Sequence, residues 1–149
     1  MDRHPWRLRV SATDRGRATV YTRQHQFSVG APVHFDRTYD AISAVEYVLG
    51  AIGADVVNGL QILARKQRVR LEQVEAVVEG ELENPLIYLG VIGETGHPGL
   101  QTARIKVYLA SSEEETTLYR LWDEMLATSP LVHTFRAALQ LELSLQMLS

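Results

Sequence analysis

A single carboxylate follows the most apolar stretch of the chain, where it could take part in binding or catalysis. The run Tyr47–Ala54 carries no charge, and Asp55 comes directly after it. A carboxylate in apolar surroundings is costly to ionise unless it is hydrogen-bonded or paired with a cation. Asp55 is therefore either a polar group at the rim of a groove or a ligand-binding acid in a desolvated pocket. The candidate cationic partners are Arg15, Arg17 and Arg136.

A serine and a histidine offer a second kind of chemistry. Ser129 and His133 lie four positions apart, which on a helix places both on one face. Together with Asp55 they could form a hydrolytic triad. Ser129 precedes Pro130, however, and neither nucleophile-elbow glycines nor an oxyanion-hole motif surround it. We therefore favour helix capping or turn chemistry for Ser129.

A second acid lies on the same predicted helix as Asp55. Glu46 precedes Asp55 by nine positions. At about 100° per residue, nine residues turn a helix by about 900°, so the two carboxylates point to opposite sides. We do not expect them to form an acid/base pair within one subunit, although a partner subunit could bring the opposite face round.

Composition excludes several classes of protein. The chain has 149 residues, a net charge of −3 and no cysteine, so it fits one domain and cannot use disulfides, thiolate metal sites or cysteine catalysis. The five histidines lack metal-ligand spacing, and we predict no metal and no cofactor. The charges are interspersed and lack aromatic interleaving, which predicts no binding to nucleic acid.

The long apolar segment over residues 41–64 has a length that could span a membrane. Glu46, Asp55, Asn58 and Gln61 interrupt it. The first residues, Met1–Trp6, also lack the apolar run of a signal peptide. We therefore predict a buried core helix in a cytoplasmic protein without membrane attachment.

The elements that must position these residues can be read from periodicity. Strands are predicted over residues 8–11, 17–22 and 26–29, then a helix from 41 to between 64 and 67, then strands over 74–82, 103–109 and 139–147, with an extended piece over 85–92. Ser112 and Glu115 form a capping-box pattern that predicts the start of a second helix, which Ser129–Pro130 ends. Strands with segregated helices indicate an α+β fold.

Three glycines in the first helix are unusual. Gly50, Gly53 and Gly59 each cost about 1 kcal/mol relative to alanine in a helix interior. Small residues at these points predict that another backbone packs very close.

Three segments resemble the OsmC/Ohr superfamily, which holds osmotically induced protein C and the organic hydroperoxide resistance proteins. They are Gly16–Ala18 after the first turn, Glu46–Ala54 on the central helix and the acidic strand Val77–Glu81. The resemblance implies a single OsmC-like domain over residues 1–149. It also implies antiparallel sheets wrapped around a long central helix, and an intertwined homodimer.

The resemblance also implies where the chemistry of the superfamily would lie. Its catalytic branch reduces hydroperoxides with one cysteine that becomes a sulfenic acid and a second that resolves it as a disulfide. These positions correspond to Asp55 and Ser129 here, so thiol-dependent peroxidase activity is not possible. An arginine and a helix glutamate assist the thiol in that branch. Arg15, one place off, and Glu46 are the matching pocket candidates, beside Asp55, Ser129 and His133.

We therefore expect a cysteine-less homodimer that keeps an apolar interfacial pocket. It would bind a small, largely apolar ligand or act as a structural or regulatory partner. The alternative is an enzyme with non-thiol acid/base chemistry that uses Asp55 as general base, supported by Ser129, His133 or an arginine. Asp55 bonded to Ser129 or His133 inside a closed cavity would favour the enzyme, whereas Asp55 in an arginine pair or in water would favour the binding protein.

Overall fold

The computed structural model describes residues 3–149, in which six strands and four helices follow one another. The strands are β1 (Arg9–Ala12), β2 (Ala18–Thr22), β3 (His25–Val29), β4 (Gln73–Leu82), β5 (Leu100–Ala110) and β6 (Gln140–Met147). The helices are α1 (Ala44–Lys66), α2 (Pro85–Tyr88), α3 (Glu115–Thr128) and α4 (Pro130–Ala138). The prediction about a signal peptide concerned Met1–Trp6, and of these residues Met1 and Asp2 lie outside the described part of the chain. The α+β class predicted from the sequence is confirmed.

The chain forms two compact units, and their boundary falls inside α1. The first unit ends at Val48, and the second is Leu49–Ser149. The prediction of a single domain over residues 1–149 stays a prediction. The homodimer also stays a prediction, because the structure holds one chain.

The first unit contains a three-stranded antiparallel sheet in the order β1-β2-β3. A tight turn joins β1 and β2, with the Arg17 N–H donating to the Asp14 carbonyl at 2.9 Å. Arg15 and Gly16 occupy the centre of this turn with φ of 48° and 76°. Two consecutive left-handed residues match the right-handed twist of the strands that they join.

The second unit contains a three-stranded sheet in which β5 lies between β4 and β6. The predicted alternation along β5 is confirmed, because Ile105, Val107 and Leu109 are buried while Arg104 and Lys106 are exposed. β4 is antiparallel to β5, but β6 is parallel to it, so the expectation of antiparallel sheets does not hold for β6. Parallel neighbours need a crossover connection, which α3 and α4 provide.

Helix α1 is buried along one face only. Ile52, Val56, Leu60 and Ala64, four residues apart, are 0 to 3% exposed, whereas Ile62 is 55% exposed. The expectation of a buried helix therefore holds for half of its circumference. Among the described residues, α1 alone is long and apolar enough to cross a membrane, a criterion that core helices of soluble proteins also meet.

The glycines of α1 accommodate side chains, not a second backbone, in the second unit. A Cβ atom at Gly53 would lie 2.6 Å from Cγ2 of Val78 on β4, and one at Gly59 would lie 3.2 Å from Cγ of Met125 on α3. A Cβ atom at Gly50 would meet nothing within 4 Å. Within this unit two of the glycines face side chains, and the close approach of another backbone, expected from the helix of a twin subunit, stays a prediction.

Two predicted boundaries are wrong for local reasons. Residues 85–92 are not extended, because Asn84 caps the short helix α2 by accepting from the Leu86 N–H at 3.1 Å, with proline at the first helical position. Ser112 does not cap α3, which starts at Glu115 without a side-chain cap. The capping box lies instead at the start of α1, where Ser43 and Glu46 exchange bonds of 3.0 and 3.2 Å.

Candidate functional site

Asp55 and Ser129 are in contact although 74 positions separate them in the chain. Asp55 lies on α1 and is half-buried, whereas Ser129 lies between α3 and α4 and is 5% exposed. The Ser129 hydroxyl donates a hydrogen bond to Oδ1 of Asp55. The two positions that the superfamily resemblance assigns to the lost thiols are thus brought together.

Local sequence explains why Ser129 is placed at this junction. Its backbone N–H closes α3 by donating to the Met125 carbonyl at 2.9 Å. Its Oγ then begins α4 by accepting from the Val132 N–H at 3.1 Å. Pro130 occupies the first helical position, where a missing N–H costs nothing. The capping role predicted for Ser129 is confirmed.

Asp55 is stabilised by donors at the start of α4. The Leu131 N–H donates to Oδ2 at 3.4 Å, while Oδ1 accepts from Ser129. The first N–H groups of a helix lack intrahelical partners, and the helix dipole favours negative charge there. Both carboxylate oxygens therefore have a hydrogen-bond donor.

The arginines proposed as partners of Asp55 have other surroundings. Within Leu49–Ser149, Asp55 forms no ion pair, so Arg136 of that unit is not its partner. In the first unit, Arg15 lies 3.9 Å from Asp14, and Arg17 pairs with Asp40. Within the second unit, hydrogen bonding and not an arginine pair accounts for the local environment of Asp55, and its pairing with Arg15 or Arg17 stays a prediction.

A groove of about 340 Å³ opens beside this pair in the second unit. Asp55 and Ser129 line it together with the apolar side chains of Ile62, Leu63 and Met125. Lys66, at the last residue of α1, also lines the groove. The groove is open to solvent, so it does not form the closed cavity that would favour acid/base catalysis.

His133 does not complete a triad. It lies on α4 and is exposed, and its Nε2 is 2.8 Å from the Ala127 carbonyl oxygen. Its ring makes no hydrogen bond to Asp55 or to the Ser129 hydroxyl within the second unit. The hydrolytic triad is therefore not assembled.

Glu46 has a structural role at the start of α1. Its carboxylate accepts from the Ser43 N–H at 3.0 Å, and its own N–H donates to the Ser43 hydroxyl at 3.2 Å. Hydrogen bonding with Ser43, chiefly from the backbone N–H, holds the pKa of Glu46 below its usual value. Glu46 and Arg15 both belong to the first unit.

The amide donor to Asp55 and the lysine that lines the groove could not be found from the sequence. The Leu131 N–H and Lys66 carry no motif of their own. The signal that was available is Ser129–Pro130, since serine followed by proline is a typical helix start. Among residues 3–149, no three His, Asp or Glu side chains are grouped closely enough to hold a metal ion.

A family model described as OsmC-like protein matches residues 37–144 of the chain. The chain belongs to the OsmC-like protein family. The resemblance inferred from its sequence is thus confirmed, and this OsmC-like protein contains no cysteine. A comparison with curated proteins found no match.

Solved structures share the fold of this OsmC-like protein. An OsmC-like protein from Mycoplasma pneumoniae matches with a TM-score of 0.80 at 16% identity, covering 100% of both chains. An organic hydroperoxide resistance protein OsmC from Legionella pneumophila matches with a TM-score of 0.70 at 13% identity, covering 97% of this chain and 99% of that one. A hydroperoxide resistance protein from Elizabethkingia anophelis gives 0.70 at 10% identity, covering 99% and 100%. At these identities the likeness concerns the fold alone.

Proposed function

We propose that this OsmC-like protein is a non-peroxidase homodimer that binds a small, largely apolar ligand in the groove beside Asp55. The observation that carries the proposal is the hydrogen bond between Asp55 and Ser129 at the two positions of the family's thiols. The carboxylate of Asp55 cannot be oxidised to a sulfenic acid, which requires a thiol. The hydroxyl of Ser129 cannot form a disulfide, which requires a second thiol. The thiol chemistry is absent, while the groove beside it remains.

The size and lining of the groove support a small ligand. Its volume of about 340 Å³ falls at the lower end of the range for small-molecule sites. Ile62, Leu63 and Met125 supply apolar surface, and Asp55 with Ser129 supplies the few polar groups that orient a ligand.

The exposed face of α1 supports the homodimer. Ala51 and Ala54 are exposed, although they belong to one of the most apolar segments of the chain. Burying such a face against a second copy would remove apolar surface from water, at about 25 cal/mol per Å². The same contact would narrow the open side of the groove.

The second candidate is an enzyme that uses Asp55 as general base. The observation in its favour is that Asp55 accepts a hydrogen bond from the Ser129 hydroxyl, whose proton a general base would remove. Against it, the Ser129 oxygen already accepts from Val132, and the Leu131 N–H is bound to Asp55. The amide donors that could stabilise an oxyanion are therefore occupied, and binding is the better-supported function.

The proposal is tested by binding of the neutral apolar dye Nile red. Ile62 lines the groove and is 55% exposed, and Leu89, outside the groove, is 56% exposed, so arginine at either position disturbs the core equally little. We expect wild type and Leu89→Arg to bind the dye alike. Ile62→Arg should bind about tenfold more weakly, because charge replaces apolar contact.

Four results would contradict the proposal. If the wild type does not bind the dye, or if both variants bind it equally well, the groove is not the binding site. Light scattering that gives a monomer would remove the homodimer. Hydrolysis of an ester by the wild type that disappears in Asp55→Asn would establish the enzyme in place of the binding protein.

A further inference from the structure

The groove carries one charged residue near each end of its α1 wall. Asp55, Gly59, Ile62 and Lys66 all line it, at intervals of four, three and four residues along one helix face. Asp55 and Lys66 are therefore separated by eleven residues, or about 16 Å along the helix axis. The spacing describes an elongated site, not a compact one.

At one end, Asp55 has hydrogen-bond donors but no counter-ion in its own unit. Its two oxygens accept from Ser129 and from the Leu131 N–H. Each carboxylate oxygen has further acceptor capacity. Because Asp55 is half-buried, a cation placed beside it would be attracted more strongly than one at a fully hydrated carboxylate.

At the other end, Lys66 is exposed and forms no ion pair within Leu49–Ser149. Glu124 of α3 is not a lining residue of the groove, and its carboxylate accepts from the Gln67 amide. Lys66 is thus available to an anionic group of a ligand.

Between the two charges, most of the groove surface is apolar. Ile62 and Leu63 line it from α1, and Met125 lines it from α3. Gly59 leaves this part open, since a Cβ atom there would come within 3.2 Å of Met125 Cγ. The remaining lining residues are Asn58, Thr128 and Pro130.

We infer that the groove selects a linear zwitterionic amphiphile, with an ammonium group beside Asp55, an aliphatic stem over the apolar centre and a carboxylate beside Lys66. This inference rests on the proposed function and specifies its ligand class. A ligand that lacks one charge would leave Asp55 or Lys66 without its partner. Charge complementarity at two separated points fixes the orientation of the ligand as well as its identity.

The test measures displacement of Nile red by four compounds, each kept below the concentration at which it aggregates or separates from water: ω-aminododecanoate, dodecylamine, dodecanoate and dodecanol. We expect ω-aminododecanoate to bind wild type most tightly, by about tenfold over dodecanol. Asp55→Asn should remove the advantage of the two amines, and Lys66→Gln that of the two carboxylates. Dodecanol should bind all variants alike.

Matched controls separate the two sites from general charge effects. Asp123→Asn and Arg65→Gln remove one negative and one positive charge at exposed helix positions outside the groove lining, and both should leave every affinity unchanged. Urea unfolding of each variant establishes that it is folded.

Equal binding of dodecanol and ω-aminododecanoate by the wild type would overturn the inference but leave the apolar binding function intact. Control variants that lower affinity as much as the groove variants would also overturn it. If neither Nile red nor any of the four compounds binds, the proposed function fails together with the inference.

Discussion

Replacement of Ser129 by alanine removes one oxygen atom that makes two hydrogen bonds. Loss of the N-cap of α4 costs about 1 kcal/mol. A hydrogen bond to a charged group contributes about 1.5–3 kcal/mol. Because Asp55 is half-buried, water replaces part of the lost donor, and we take about 1 kcal/mol for this term. Ser129→Ala should therefore lower the free energy of unfolding by about 2 kcal/mol.

Urea unfolding at one fixed protein concentration measures this loss, because association would make stability depend on concentration. The melting temperature should fall by about 4–8 °C. Thr128→Ala is the matched control. Thr128 is the adjacent residue, is exposed and donates only to the Glu124 carbonyl, so its loss should change stability by less than about 0.5 kcal/mol.

A double-mutant cycle isolates the contact between the two side chains. Combining Ser129→Ala with Asp55→Ala should give a coupling energy of about 1 kcal/mol, since the two residues share a hydrogen bond. Additive effects of the two substitutions, or a Ser129→Ala protein as stable as Thr128→Ala, would refute the assignment of Ser129 as both cap and partner of Asp55.

Two further predictions concern the same unit. The double variant Asp55→Cys/Ser129→Cys should form an intramolecular disulfide and consume an organic hydroperoxide in the presence of dithiothreitol. The reason is that the side chains at these two positions are in contact. Mass spectrometry that finds only free thiols after oxidation would contradict this prediction. Gly53→Ala should lower the free energy of unfolding by about 1–3 kcal/mol, since the new methyl group meets the stiff side chain of Val78 at 2.6 Å. Gly59→Ala, which faces a flexible methionine at 3.2 Å, should stay within about 1 kcal/mol of wild type in urea unfolding, and a larger loss there than at Gly53 would disprove the steric argument.

The strands could be predicted because their alternation reflects burial on one face. Ile105, Val107 and Leu109 are buried while Arg104 and Lys106 are exposed, so β5 was found to within three residues of each end. Alternation fixes which side chains face the core but not the direction of a strand. The parallel pairing of β6 therefore depends on the crossover through α3 and α4, which local pattern does not encode.

Helix starts were harder to predict, because the same pattern occurs where no cap forms. Ser43 and Ser112 each precede a glutamate by three positions, but only Ser43 forms the capping box. Near the other pattern, the Ser111 hydroxyl accepts from the Glu113 N–H and donates to the Arg70 carbonyl. Ser111, not Ser112, therefore makes the side-chain contacts of this segment, one of them to a residue 41 positions away, and α3 starts at Glu115.

In the candidate site, too, one feature follows from local sequence and the others depend on how distant segments pack. The capping role of Ser129 follows from Ser129–Pro130, which is local information. Its contact with Asp55 joins positions far apart in sequence, and only the family resemblance suggested that they meet. The bond from Leu131 to Asp55 depends on the placement of α4 against α1, which no single segment determines.

The first turn of α4 is completed by an acid located 74 positions earlier in the chain. Closing a loop of that length costs chain entropy before the contact forms, so this turn cannot reach its full stability during early, local folding. We expect α4 to be among the last segments to become protected from amide hydrogen exchange. Local unfolding of α4 in the native protein should then break its hydrogen bonds to Asp55. The stability of α4 is therefore coupled to the position of α1.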